Sequence, residues 1–120
     1  MPICTFRGLF WLLWFAALGL TFVAGLLPQL SPPGEHEADK LIHAAVFFAL
    51  ALPAALLAGE RRWRAVLAVA ALGLAIEIGQ SYVPARTGSL FDFAADLIGV
   101  ALAAWVALLL KRRLGAIPRT

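Results

Sequence analysis

Four long apolar stretches, each fenced by polar or helix-breaking residues, set the pattern of this chain. The first runs from Leu9 to Leu27, 19 residues interrupted by nothing stronger than Thr21. A helix rises about 1.5 Å per residue, so this run can cross the roughly 30 Å of a bilayer's hydrocarbon. Arg7 precedes it, which raises a cleaved signal peptide as the competing reading. Signal cores are shorter, about 7–15 residues, and the pattern predicts an uncleaved first span. Pro28, Pro32, Pro33 and Gly34 then oppose a helix, and Glu35, His36 and Glu37 make the 28–38 connector polar and acidic.

A second span is predicted from Asp39 to Ala58, with Asp39 as its N-cap. Pro53 lies inside it, where its missing N–H frees the carbonyl of Ala49 and predicts a kink. Residues 59–62 read as a tight polar turn, which makes the second and third spans antiparallel neighbours. The third span is predicted from Trp63 to Val83, the next turn over 84–88, and the fourth span from Ser89 to Leu110. The fold class expected is all-α: a polytopic, four-transmembrane-helix bundle forming one domain over residues 1–120.

Composition agrees with a lipid solvent. Hydrophobic residues make up 62% of the chain and charged ones only 14%, against about 25% charged in soluble domains. The single cysteine, Cys4, offers neither a disulfide framework nor a metal framework. Basic residues flank the apolar runs instead of covering a soluble face, which argues against nucleic-acid binding. Suppose that the N-terminus is cytoplasmic. Eight of the 10 basic residues then fall on that side, and only Lys40 and Arg86 lie opposite. This positive-inside split predicts a multi-pass protein of the cytoplasmic (inner) membrane with both termini cytoplasmic.

Against that background the ionisable residues within the spans stand out. A charged side chain at the bilayer centre costs from about 2.5 to more than 10 kcal/mol, so it needs a partner or a purpose. Gly73, Glu77 and Gln80 form one stripe at helical spacing on the third span. Counted from the outer ends, Glu77 and Asp96 lie about 9 Å deep and His43 slightly shallower. His43, Glu77, Gln80, Asp92 and Asp96 should therefore share one layer, as a polar pocket opening to the outer face.

Each of these residues has a structural reading beside the functional one. Asp39 either caps a helix or belongs to the pocket. Lys40 either snorkels to the interface or binds a ligand. His43 and Glu77 are an acid/base pair, or simply bridge helices. Gln80 offers two donors and one acceptor to a ligand or to a neighbouring helix. Arg86 either neutralises Glu77 or Asp92 or holds an anionic group. Asp92 completes a capping box with Ser89 or joins the pocket. Asp96 lies one turn deeper, with no capping role. Gly99 reads as a site of close helix packing.

These residues resemble a known pattern. Asp39-Lys40-x-x-His43 with Phe47, Glu77-x-x-Gln80, Arg86 with Ser89, and Asp92 with Gly99 are similar to the VanZ-like membrane proteins. That family is named for a member linked to resistance to the glycopeptide teicoplanin. The resemblance covers about Asp39 to Gly99 and implies an architecture and a residue set more than a reaction. The chain departs from the family pattern at Asp96, where Asn is usual, and the departure argues against a neutral amide role at this position.

The expectation favoured by the resemblance is a binding protein whose pocket takes a cell-envelope lipid, a cell-envelope precursor or a glycopeptide-type head group. Asp39, Lys40, Gln80, Arg86, Asp92 and Asp96 would be the ligand-binding residues. The alternative is an intramembrane enzyme on a lipid-linked substrate, with Glu77 and His43 as acid and base. In that reading a histidine with several carboxylates could hold Mg²⁺ or Mn²⁺, though the sequence requires no metal and no cofactor. It shows neither a nucleophile motif nor HExxH-type spacing. A transport role would need more subunits than one four-helix chain, and a homo-oligomer is compatible with the pattern.

Overall fold

The structure is a computed structural model that describes residues 2–27, 36–82 and 90–115, with side chains over 5–27, 40–82 and 90–114. It contains α1 (Pro2–Leu26), α2 (His36–Leu57), α3 (Arg62–Gln80) and α4 (Leu90–Gly115), with a 3-10 turn over Gly59–Arg61. No strand occurs among the described residues. Four helical stretches are long and apolar enough to cross a membrane: Thr5–Leu26, Lys40–Leu57, Gly59–Gln80 and Leu90–Leu114.

The helix ends correct the expected boundaries. Helix α2 begins at His36, so Asp39 lies within its first turn and is not its N-cap. The breakers stop at Gly34, and nothing in His36-Glu37-Ala38 opposes a helix. Acids in a first turn are also favoured by the helix dipole. Helix α3 stops at Gln80, before the predicted Val83. Ser81 Oγ donates back to the carbonyl of Ile78 at 2.6 Å, which offers the backbone an alternative to another helical turn. Helix α4 runs past Leu110 because Lys111, Arg112 and Arg113 are good helix formers placed at the favourable end of the dipole. The turn after α2 depends on Gly59, whose φ of 60° is the left-handed conformation of a helix C-terminal glycine.

Helices α2 and α4 share the most extensive interface, and α3 packs on both. The core is built from small side chains on facing helices, including Ala51 and Ala54 of α2, Val69 of α3 and Ala103 of α4, all fully buried. Small residues let backbones approach, which is how helices gain packing in lipid. Gly99 is the extreme case: a Cβ there would collide with the carbonyl oxygen of Ala44 across the α2–α4 interface.

Helix α1 is peripheral. Only 6% of its most apolar window is buried, against 39% for α3. Among its described side chains the one large buried group is Trp14, whose Nε1 donates to the carbonyl of Leu50 at 2.9 Å. That carbonyl lies in the turn of α2 preceding Pro53, where the proline ring disturbs the helical ladder. Arg7 Nη2 donates to the carbonyl of Leu57, the last residue of α2, at 3.2 Å. Like any helix end, this one leaves carbonyls to be satisfied from outside.

Candidate functional site: a buried His-Glu-Asp cluster

The C-terminal ends of α1 and α3 and the N-terminal ends of α2 and α4 lie at one end of the bundle, where the tie between Gln80 and Gly25 and the pairing of Lys40 with Phe91 are made. His43 lies seven residues into α2, about 10 Å at 1.5 Å per residue. Asp96 is six residues into α4, about 9 Å. Glu77 is three residues from the end of α3, about 5 Å. His43 and Asp96 therefore lie at one depth, with Glu77 nearer the helix end than expected. Gln80, the last residue of α3, and Asp92, in the first turn of α4, fall outside the common layer expected for all five.

The layer is stitched by a pair from α2 and α4. His43 Nδ1 and Asp96 Oδ1 lie 2.9 Å apart, the geometry of an N–H donated to a carboxylate. Asp96 is 0% exposed and the His43 side chain 14%, so solvent screens the contact little. Gly73 on α3 makes room for it. A Cβ at that position would lie 3.0 Å from Asp96 Oδ2 and 3.2 Å from Asp96 Cβ. The predicted stripe of Gly73, Glu77 and Gln80 is buried throughout. His43, Glu77 and Asp96 each offer one ligating atom, and these atoms lie within 4.8 Å of one another. Three helices thus converge on a set that could share a proton or hold a divalent cation.

Gln80 has a structural task as well as a place at the site. Its Nε2 donates to the carbonyl of Gly25 at 2.7 Å. Gly25 is in the last turn of α1, where carbonyls lack helical partners. Gln80→Ala should therefore lower stability by about 1–2 kcal/mol, because a part-buried carbonyl loses its donor. Faster amide exchange confined to the end of α1, with α2–α4 unchanged, is the expected signature.

The remaining predicted residues divide. Lys40 Nζ sits 5.1 Å from the centroid of Phe91, a cation–π contact that ties the N-terminal ends of α2 and α4. Asp92 is half-buried in the first turn of α4, four residues nearer the helix end than Asp96. Neither belongs to the His43–Glu77–Asp96 cluster. Arg86, Ser89 and the Asp39 side chain fall outside the described residues, and with them the capping box.

A cavity of about 360 Å³ lies beside the cluster, between α1, α2 and α3. Leu20, Ala24, Ile42, Val46, Phe47 and Ile76 give it an apolar wall; His43, Gln80 and Thr21 are the polar side chains on it. Thr21 Oγ1 is already committed to the carbonyl of Ala17 at 2.8 Å. Helix α1 contributes both to this wall and, through Gly25, to the position of Gln80. Sequence reasoning placed the site on the other three helices and missed that part, since a backbone carbonyl has no signature in the sequence.

A chain with four apolar helices of spanning length and a buried ionisable cluster near one end is a multi-pass membrane protein. It belongs to the VanZ/LLP1 family, whose model matches residues 5–111 and so reaches all four helices. No curated protein and no solved structure matches the chain.

Proposed function

We propose that this VanZ/LLP1 protein binds the polar head group of a cell-envelope lipid, or a glycopeptide-type ligand, at the outer leaflet. The observation that carries this reading is the cavity, whose apolar wall ends on His43 and Gln80, with Glu77 and Asp96 behind His43. Such a surface suits an amphiphile: chain on the wall, head group at the polar end. The basic residues support the outward orientation, because Arg61, Arg62, Arg64 and Lys111 cluster at the other ends of α3 and α4. Arg86 and Lys40 supply positive charge for a phosphate or carboxylate. The link of the family's namesake to teicoplanin resistance fits a ligand of the cell envelope.

The test is thermal unfolding of the purified protein with a polyprenyl phosphate, a phosphatidic acid and a glycopeptide in turn. A ligand at 100 times its Kd adds about 2.7 kcal/mol to stability. Arg86→Ala and Glu77→Gln should each remove most of that increment. Equal melting temperatures with and without every one of these ligands would overturn the reading.

One observation favours a second reading. An imidazole oriented by a buried carboxylate, as His43 is by Asp96, is the arrangement that a general base uses. An intramembrane enzyme acting on a lipid-linked substrate, with Glu77 as its acid, would lose turnover in His43→Ala while keeping ligand-dependent stabilisation.

A further inference from the structure

We infer that His43, Glu77 and Asp96 form a binding site for one divalent cation. Three donors that lie within 4.8 Å of one another always leave a point no more than about 2.8 Å from each of them, against metal–ligand bonds of about 2.0–2.2 Å. Side-chain movement of at most about 0.6–0.8 Å per residue closes the difference. The 2.9 Å between His43 Nδ1 and Asp96 Oδ1 is close to the edge between adjacent ligands expected at such bond lengths, about 3 Å. An ion there takes the place of the Nδ1 proton, and the neutral imidazole carries its hydrogen on Nε2 instead. The three residues come from three different helices, so the site is a product of the fold and not of one sequence motif.

Charge points the same way. With both carboxylates ionised and the imidazole neutral the set has a formal charge of −2, which a divalent ion cancels. Glu77 is 8% exposed and Asp96 0%, so the set lies where positive charge close by is worth most. The chain offers its own competing cation in Arg86, which falls outside the described residues.

The donor chemistry narrows the ion. One imidazole and two carboxylates suit Mn²⁺ or Zn²⁺ better than Mg²⁺ or Ca²⁺, which prefer oxygen alone. Three protein ligands also leave coordination positions open, as catalytic metal sites do. Of the three ligands His43 also lines the cavity, and a phosphate oxygen of an amphiphile bound there would be the natural occupant of an open position on its side. This last point rests on the head-group reading; the ion site itself does not.

The experiment uses the full chain in detergent, stripped with a chelator and titrated with Mn²⁺ and Zn²⁺ in the absence of lipid. Expected is one ion per chain, with affinity reduced at least tenfold in D96N and in E77Q. Asp92→Asn, outside the cluster, should bind as the wild type does. The Mn²⁺ spin-echo spectrum should show a nitrogen coupling that His43→Ala removes. D96N keeps the size of the side chain and E77Q touches a different helix, so one misfolded variant does not decide the result. Binding that survives both, or absence of binding in both the wild type and Arg86→Gln, overturns the inference. The two proposals then separate. Ion binding with no response to any lipid keeps the ion site and removes the head-group reading. A lipid response without ion binding does the reverse.

Discussion

Gly99→Ala is expected to be the most damaging glycine-to-alanine change among the described residues. The added Cβ would run into the carbonyl oxygen of Ala44, a backbone atom of the facing helix that no rotamer change can move. Overpacking costs about 1–3 kcal/mol where side chains can adjust, and this contact should lie at or beyond the top of that range. The interface affected is the most extensive one, between α2 and α4. Gly8 and Gly19 are matched controls, because a Cβ at either position meets nothing within 4 Å. Alanine there should be neutral or stabilising by up to about 1 kcal/mol through helix propensity. Reversible unfolding of the three variants in one detergent gives the comparison. A melting temperature for Gly99→Ala equal to those of the controls would contradict the α2–α4 geometry.

The second large effect concerns the His43–Asp96 pair. Asp96→Ala removes the partner of a buried imidazole and leaves a void against Gly73. Removing one member of a buried charged pair costs about 3–5 kcal/mol in soluble proteins. Interhelical hydrogen bonds in bilayers contribute less, about 0.6–1.7 kcal/mol, because the separated helices find other partners. Asp96→Ala should therefore cost about 2–3 kcal/mol, and His43→Ala somewhat less. The double variant should lose less than the sum by about 1 kcal/mol. That coupling, from a double-mutant cycle, reports the contact itself, since substitutions at residues that do not touch add. Additive losses would show that the two side chains do not meet.

Much of this arrangement could be read before any coordinates, for one physical reason. Ionisable residues are so costly in hydrocarbon that His43, Glu77 and Asp96 stand out in apolar spans, and counting residues from the span ends puts them in one layer. The Gly73–Glu77–Gln80 stripe followed from helical periodicity, and all three are buried. The features that escaped were those without a side-chain signature. Asp39 looked like a cap because an acid preceded an apolar run, yet the helix had already begun at His36. Gln80 reads from the sequence as serving a ligand or a neighbouring helix, and its amide meets the second, though which backbone carbonyl it takes, that of Gly25, is not legible there. The sequence places Gly73 only as a member of that stripe; its particular use, seating the carboxylate of Asp96, depends on which helix lies opposite.

The peripheral position of α1 bears on how the chain is assembled. Spans leave the ribosome in order, so α1 reaches the bilayer first and meets α2, through Trp14 and Arg7, before α3, its principal neighbour, arrives. The α2–α4 contact cannot form until the last helix has been synthesised. Early intermediates therefore hold His43 and Glu77 in lipid before Asp96 exists to meet them. A nascent chain arrested before Asp96 should depend on membrane chaperones far more than the finished protein does.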